Sequence, residues 1–184
     1  MPLQHKDKPR LLEMVKQEAY FPGKVILSSG KESDYYIDAR RLTLHPEGVT
    51  LISRILLDMV KGDYPDAMGG MTLGADPLVG ALGVLSFQAG RPVKTFIIRK
   101  AAKAHGRQKQ VEGPDLKPGM NIVLIDDVAT TGKAFLESLD VFDALGIQCR
   151  RAICVVNRDE GAKEALAARG CQLLSIFDIR EIHS

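Results

Sequence analysis

Val123-Leu124-Ile125-Asp126-Asp127-Val128-Ala129-Thr130-Thr131-Gly132-Lys133-Ala134 reads as a strand, a loop and a helix start in one contiguous order. The aliphatic run ends in two adjacent carboxylates, and the loop after them is made of small and hydroxyl residues. Successive amides in such a loop, with a helix dipole behind them, form an anion site. Gly132 lets backbone approach an anion where a side chain would stand in the way. Two carboxylates beside a bare phosphate would repel it, whereas the vicinal hydroxyls of a ribose donate to carboxylates and Mg²⁺ takes oxygen ligands. The stretch therefore points to a sugar phosphate that carries a magnesium-bound diphosphate. It lacks the glycine spacing and Gly-Lys-Ser/Thr ending of a Walker A loop.

Outward from this stretch the chain alternates between strand and helix patterns. Residues 67–71 read as a short buried strand, followed by a second loop, Thr72-Leu73-Gly74-Ala75-Asp76-Pro77. Asp76 fits a helix N-cap and Pro77 a first helical turn. The helix over 78–89 is apolar nearly all round, which predicts thorough burial. Residues 92–98 read as another strand, 121–126 as the acidic one, and 132–145 as a helix turning Phe135, Leu139, Phe142 and Leu145 inward before Gly146. A strand over 148–156 ends in Asn157-Arg158-Asp159-Glu160-Gly161; a helix over 162–168 and a strand over 171–177 complete the series. Such alternation predicts an α/β fold with a mainly parallel sheet covered by helices on both faces. Right-handed crossovers place the strand C-termini along one rim, where open α/β sheets bind ligands. That rim gathers 72–76, 99–105, 126–133 and Arg158.

The N-terminal part has a different pattern. Leu11, Leu12, Val15 and Ala19 recur at helical spacing over 9–20, and Phe21-Pro22-Gly23 is expected to stop that helix. Strands over 24–27 and 34–38, joined by Ser28-Ser29-Gly30-Lys31, form a hairpin too small to stand alone. We expect residues 1–45 and the C-terminal end to build a small hood over the rim of one domain spanning 1–184. Alternation along the second strand turns Tyr36 away from Tyr35 and Ile37. His45-Pro46-Glu47 opens a helix to about residue 61, with Val49, Ile52, Ile55, Leu56 and Met59 on one face.

Arg99-Lys100-Ala101-Ala102-Lys103-Ala104-His105-Gly106-Arg107-Gln108-Lys109-Gln110 holds five cationic residues and one histidine, with few large apolar groups. With the Pro- and Gly-containing stretch after it, 99–119 reads as a long mobile loop leaving a strand end, and loops of that length usually serve function. A formal net charge of +2 on 184 residues disfavours a general nucleic-acid binder. No apolar run reaches membrane-spanning length and no signal-peptide core is visible, so no membrane partner is expected. Cys149, Cys154 and Cys171 lack metal spacing and sit in apolar runs, which predicts buried reduced thiols and a cytoplasmic setting.

These rim elements suit one reaction. Displacement of diphosphate from a sugar C1 builds negative charge on the leaving group, which Mg²⁺, Arg99, Lys100 and Lys103 would stabilise. His105 can donate a bond or a proton to a diphosphate oxygen. A loop closing over bound substrate excludes water from the activated sugar.

The 123–134 stretch resembles the phosphoribosyl-diphosphate (PRPP) signature of type I phosphoribosyltransferases. Over nearly its whole length the chain resembles the orotate phosphoribosyltransferases among them. The resemblance is carried by Ser29-Gly30 with Ser33-Asp34-Tyr35-Tyr36, by Thr72-Leu73-Gly74-Ala75-Asp76-Pro77, by the Lys-and-His loop 99–106, and by 123–134. It implies the type I phosphoribosyltransferase fold and the reaction of orotate with PRPP to give orotidine 5′-monophosphate and diphosphate. It implies catalytic roles for Lys103, His105, Asp126 and Asp127. PRPP would be bound by these four with Arg99, Lys100, Thr72, Leu73, Gly74, Val128, Ala129, Thr130, Thr131, Gly132, Lys133 and Ala134. Orotate would meet Thr130, Arg158, Tyr36 and Ile37, with Arg158 facing its carboxylate. Mg²⁺ would be held mainly through the diphosphate and water, without a dedicated protein cage. The resemblance also implies a homodimer in which part of the cationic loop serves the neighbouring subunit's site. Two positions depart from some family members, where lysines stand in place of Ser28 and Leu73; Arg99, Lys100 and Lys103 are then expected to bear more of the diphosphate contact. The other readings of the same signature are transfer to a purine or uracil, and a PRPP-responsive regulator without catalysis.

Overall fold

The computed structural model describes residues 5–26, 32–101 and 110–183. The acidic stretch lies in β6 (Ile122–Ala129), a central strand of a six-stranded sheet. Its neighbours are β3 (Ala67–Met71) and β7 (Arg151–Asn157); β4 (Lys94–Ile98) lies beyond β3 and β8 (Gln172–Asp178) beyond β7. A two-residue strand, β5 (Val111–Glu112), closes the β4 edge and is the one antiparallel member. The remaining pairings are parallel. The chain adds β4 on one side of β3 and β7 and β8 on the far side of β6. The order therefore reverses between β3 and β6, and the crevice at such a reversal is where open sheets take ligands.

Period-2 alternation divides β6 between two cores. Val123 and Ile125 pack with Leu11, Ile52, Ile55, Leu78 and Leu82, from α1 (Lys8–Met14), α3 (Pro46–Met59) and α4 (Asp76–Gln88). Ile122 and Leu124 pack on the other face with Phe135, Leu139 and Phe142 of α5 (Lys133–Ala144) and Leu166 of α6 (Ala162–Ala167). Phe96 of β4 meets Phe142 edge-on at 5.8 Å. Burial on both faces explains why these strands read as continuous apolar runs. The His45 side chain accepts a bond from the Gly48 amide and caps α3, with Pro46 in the first turn as expected.

Several boundaries differ from the sequence expectations. α1 continues into a π-helical turn over Val15–Ala19, and the chain then enters β1 (Tyr20–Ile26) without a break. Phe21-Pro22-Gly23 is thus part of a strand. Phe21 pairs with Tyr36 and Pro22 with Tyr35, and the register shifts between Pro22 and Val25. A two-stranded ribbon tolerates Pro22 because the donor it lacks is needed only at an inner strand. β1 and β2 (Glu32–Ile37) form that ribbon apart from the main sheet; the expected turn at 28–31 lies outside the described residues. α2 (Arg40–Thr43) and α7 (Ile179–His183) are short helices that the periodicity did not reveal.

β6 runs three residues beyond its expected end, so the acid pair lies inside the strand. Leu145 is 50% exposed, because α5 ends at Ala144 and the chain turns away from the core. Asp76 is the first residue of α4, and Ala75 occupies the N-cap. α4 is not buried all round: Val84 and Phe87 are 58% and 74% exposed. The presumed 99–119 loop rejoins the sheet early. The Arg99 amide donates to the Gln110 carbonyl and the Gln110 side chain donates to the Arg99 carbonyl, both at 2.9 Å. Among the described residues no helix is long and apolar enough to cross a membrane, and Cys149, Cys154 and Cys171 are buried and free.

Candidate active site

Asp126 and Asp127 stand at the reversal of strand order. Each accepts a backbone bond from the next residue: the Asp127 amide donates to Asp126 Oδ1 at 2.9 Å and the Val128 amide to Asp127 Oδ1 at 2.8 Å. Burial pushes the Asp126 carboxyl well above the usual carboxylate range, and the neighbouring Asp127 charge adds to the rise. Burial also raises Asp127. The positive charges of Lys100 and Arg40 oppose these rises, at Asp126 and Asp127 respectively. Two carboxyls held in this way favour a partner that supplies protons or positive charge.

The loop after β3 lies directly against this pair. A Cβ on Gly74 would stand 2.2 Å from Asp126 Oδ1 and 2.7 Å from Asp127 Oδ1, so backbone occupies space that any side chain would take from the carboxylates. The loop is anchored by the Thr72 amide on the Ile98 carbonyl at 2.9 Å and by the Thr72 hydroxyl on Asp76 Oδ2 at 2.7 Å. The Thr72–Leu73 peptide is cis. Leu73 is 69% exposed on the outer side of the loop.

On the far side of the acid pair, β6 gives way to Thr130, Thr131 and Gly132 before α5. Gly132 takes a left-handed conformation, φ 79°, and no side chain caps the helix. Its Cβ would also press on Leu166 Cδ1 at 2.8 Å, a second reason for glycine here. The first amides of α5, from Lys133 and Ala134 onward, are therefore left for an anion. The Lys133 side chain is 81% exposed, 3.8 Å from Glu137.

Arg158 follows β7, with its amide bonded to the Ala129 carbonyl at 2.9 Å, which ties the Arg158 loop to the end of β6. Its side chain is only 5% exposed. Nη2 donates to Ser33 Oγ at 3.1 Å, Nε lies 2.9 Å from Glu160 Oε1, and the guanidinium covers the Tyr35 ring at 4.6 Å. Ser33 donates in turn to the Tyr35 carbonyl at 2.8 Å. The ribbon is thereby fastened to the main sheet at the residue predicted to face the base. Tyr36 is 38% exposed, whereas Ile37 is 6% exposed in the core and offers a ligand only its backbone.

The structure thus brings together 72–74, 126–134 and Arg158 at one rim. Arg99 and Lys100 leave β4 on the same rim, exposed, with Arg99 3.7 Å from Glu112. Lys103 and His105 lie outside the described residues. Sequence reasoning gave no site role to Arg40, whose Nε donates to Asp38 Oδ1 at 2.9 Å, or to the Arg158 neighbours Ser33, Tyr35 and Glu160. Ser33 and Tyr35 belong to the hood segment that carried the family resemblance, and Arg40 lies just beyond it.

Residues 67–182 match the family model described as "Phosphoribosyl transferase domain". The orotate phosphoribosyltransferase of Nostoc sp. is 40% identical over 173 residues, covering 94% of this chain and 84% of that protein. The chain belongs to the orotate phosphoribosyltransferase family. Its fold agrees with solved members: Mycobacterium tuberculosis orotate phosphoribosyltransferase in complex with Fe(III) dicitrate superposes with a TM-score of 0.83 at 35% identity, covering 97% of this chain and 99% of that one. The same protein in complex with PRPP gives a TM-score of 0.79 at 30% identity, with the same coverage. The α/β fold with its mainly parallel sheet, expected from the alternation of elements, is therefore that of the type I phosphoribosyltransferases, and in this orotate phosphoribosyltransferase family member the ribbon of β1 and β2 stands apart from that sheet.

Proposed function

We propose that this chain transfers the 5-phosphoribosyl group of PRPP to orotate, giving orotidine 5′-monophosphate and diphosphate. The observation that carries this reading is the close approach of the 72–74 backbone to Asp126 and Asp127, with Arg158 buried at the next strand end. Asp126 and Asp127 accept from the ribose hydroxyls. The amides and hydroxyls of 130–134 hold the 5-phosphate, while the 72–74 backbone with Arg99 and Lys100 holds the diphosphate. Arg158 receives the orotate carboxylate by a charge-assisted contact, and Thr130, Tyr36 and the Ile37 backbone border the base. Lys103 and His105 complete the set by resemblance, Lys103 as a charge on the diphosphate and His105 as a donor to it.

The donor set fits Mg²⁺: two adjacent carboxylates lie against the same loop glycine, and their burial makes a nearby positive charge favourable. Magnesium typically takes one or two carboxylates plus substrate phosphates, and when bound it would neutralise diphosphate charge.

The same reading includes a hood, a homodimer and a cytoplasmic setting. The ribbon's bond from Arg158 to Ser33 supports a hood over the base. Exposed Leu73, in the diphosphate loop, and exposed Val84 and Phe87 on α4 leave apolar side chains for a second copy to cover, which supports the homodimer. Three buried free thiols support a reducing compartment. The test is a steady-state assay of diphosphate release with PRPP and a panel of bases. Orotate should be used at least a hundredfold better than uracil, adenine, guanine or hypoxanthine, and equal use of any of these would overturn the assignment.

A further inference from the structure

Arg158 is followed by two acids whose side chains go different ways. Asp159, held at φ 58° with its amide on the Asn157 side chain, turns its carboxylate to Arg180. Glu160 turns back to Arg158, Oε1 lying 2.9 Å from Nε. That approach is not along the N–H: the buried Nε makes no directional hydrogen bond. Glu160 therefore acts on Arg158 through charge. The position of the guanidinium is held independently, by Ser33 Oγ on Nη2 and by the Tyr35 ring beneath it.

A buried cation without a counter-charge holds almost any anion that reaches it. With Glu160 in place the pair is neutral before a ligand arrives, and an incoming carboxylate meets a like charge across the same guanidinium. Discrimination of this kind uses a repulsive element as well as an attractive one. We propose that Glu160 is a specificity-determining residue that limits the grip of Arg158 on carboxylates, so that a bare carboxylate is not retained and the carboxylated product is released. This rests on the reading of Arg158 as the contact for the orotate carboxylate. The base ring then supplies the remaining affinity through contacts that a simple acid lacks.

The sign of the effect separates this role from structural support. If Glu160 only braced Arg158, its loss would weaken orotate binding; as a counter-charge, its loss strengthens it. The experiment measures four constants in Glu160→Gln: the KM for orotate, the inhibition constants of benzoate and of orotidine 5′-monophosphate against orotate, and the KM for PRPP. The first three should each fall about fivefold or more, with the PRPP value within twofold of wild type. Glu160→Asp, which retracts the carboxylate by one methylene, should move the same three constants in the same direction by less, and it decides the matter if the glutamine variant does not fold. Unchanged or raised constants in a folded variant overturn the assignment. If the wild-type protein releases no diphosphate with orotate, the orotate reading falls and this inference with it; if it does and the constants stay put, only the role of Glu160 falls.

Discussion

Replacing Gly74 by alanine is the most direct test of the site's geometry. The new Cβ would lie 2.2 Å from Asp126 Oδ1, while ordinary contact begins at 3.4 Å, so atoms must separate by about 1.2 Å. Neither side yields easily. Asp126 is tied to the Asp127 amide and Asp127 to the Val128 amide, while Thr72 is bonded to Ile98 and to Asp76. The loop or the acid pair is therefore displaced by about 1 Å, and a misplacement of that size costs roughly 10²-fold in rate, about 2.7 kcal/mol of transition-state stabilisation. Overpacking costs about 1–3 kcal/mol of stability, a fall in Tm of roughly 2–12 °C for a domain of this size. The assay is kcat/KM for PRPP at saturating orotate, with thermal unfolding of the same preparation. Gly62→Ala is the control, since no atom lies within 4 Å of its Cβ, and it should change neither quantity appreciably. A Gly74→Ala protein with kcat/KM within threefold of wild type and an unchanged Tm would show that the Gly74 loop and the acid pair are not in contact.

Asp126→Asn together with Asp127→Asn should raise the KM for PRPP and lower turnover with the fold intact, and normal kinetics would refute the acid-pair assignment. Because folding raises both carboxyls above their unfolded values, their contribution to stability is full at acid pH and is lost as pH rises through the folded-state values. The same double variant should therefore show a higher Tm than wild type at pH 8 and a smaller difference at pH 4; a lower Tm at pH 8 would contradict the burial argument. Arg158→Ala should raise the KM for orotate roughly 10²-fold while moving that for PRPP less than threefold, and equal losses for both would count against a base-side role. Mixing Lys103→Ala with the double asparagine variant should return about a quarter of wild-type activity per site, since random exchange makes about half the dimers mixed with one intact site of two. No recovery after verified subunit exchange would mean that the cationic loop serves its own chain.

The rim was legible because burial on both faces makes parallel strands read as aliphatic runs, and each run here ends in residues that a core would not accept. Asp126, Thr72 and Arg158 announced themselves in this way. The N-terminal ribbon was harder to read. Phe21-Pro22-Gly23 has the composition of a stop, yet a strand outside the main sheet can carry proline and a register shift. The outer face of α4 was misread because an all-apolar helix implies a covering surface, which one chain does not provide for Val84 and Phe87. The tie of Ser33 and Tyr35 to Arg158 was invisible for another reason. It spans 125 residues for Ser33, and no local pattern encodes such a contact. The fit of Gly74 against the acid pair was equally out of reach, because it depends on two strands lying side by side.

The ring cluster at the foot of the ribbon bears on local stability. Tyr20 of β1 stacks on Tyr35 of β2 at 5.7 Å, and His183 of α7 closes edge-on against Tyr35 at 4.8 Å and Tyr20 at 5.4 Å. Above that cluster the residues from Phe21 to Lys24 are exposed, and among the described residues the ribbon has no sheet neighbour other than itself. Segments with few buried contacts open at free energies well below that of global unfolding. The ribbon is therefore a separate exchange unit, hinged at the ring cluster and held by Arg158 on Ser33 and Tyr35 and by Arg41 over the Phe21 ring at 5.3 Å. Amide protons in β1 and β2 should exchange well before those of β3 and β6, and a ligand that immobilises Arg158 slows their exchange without touching most of them.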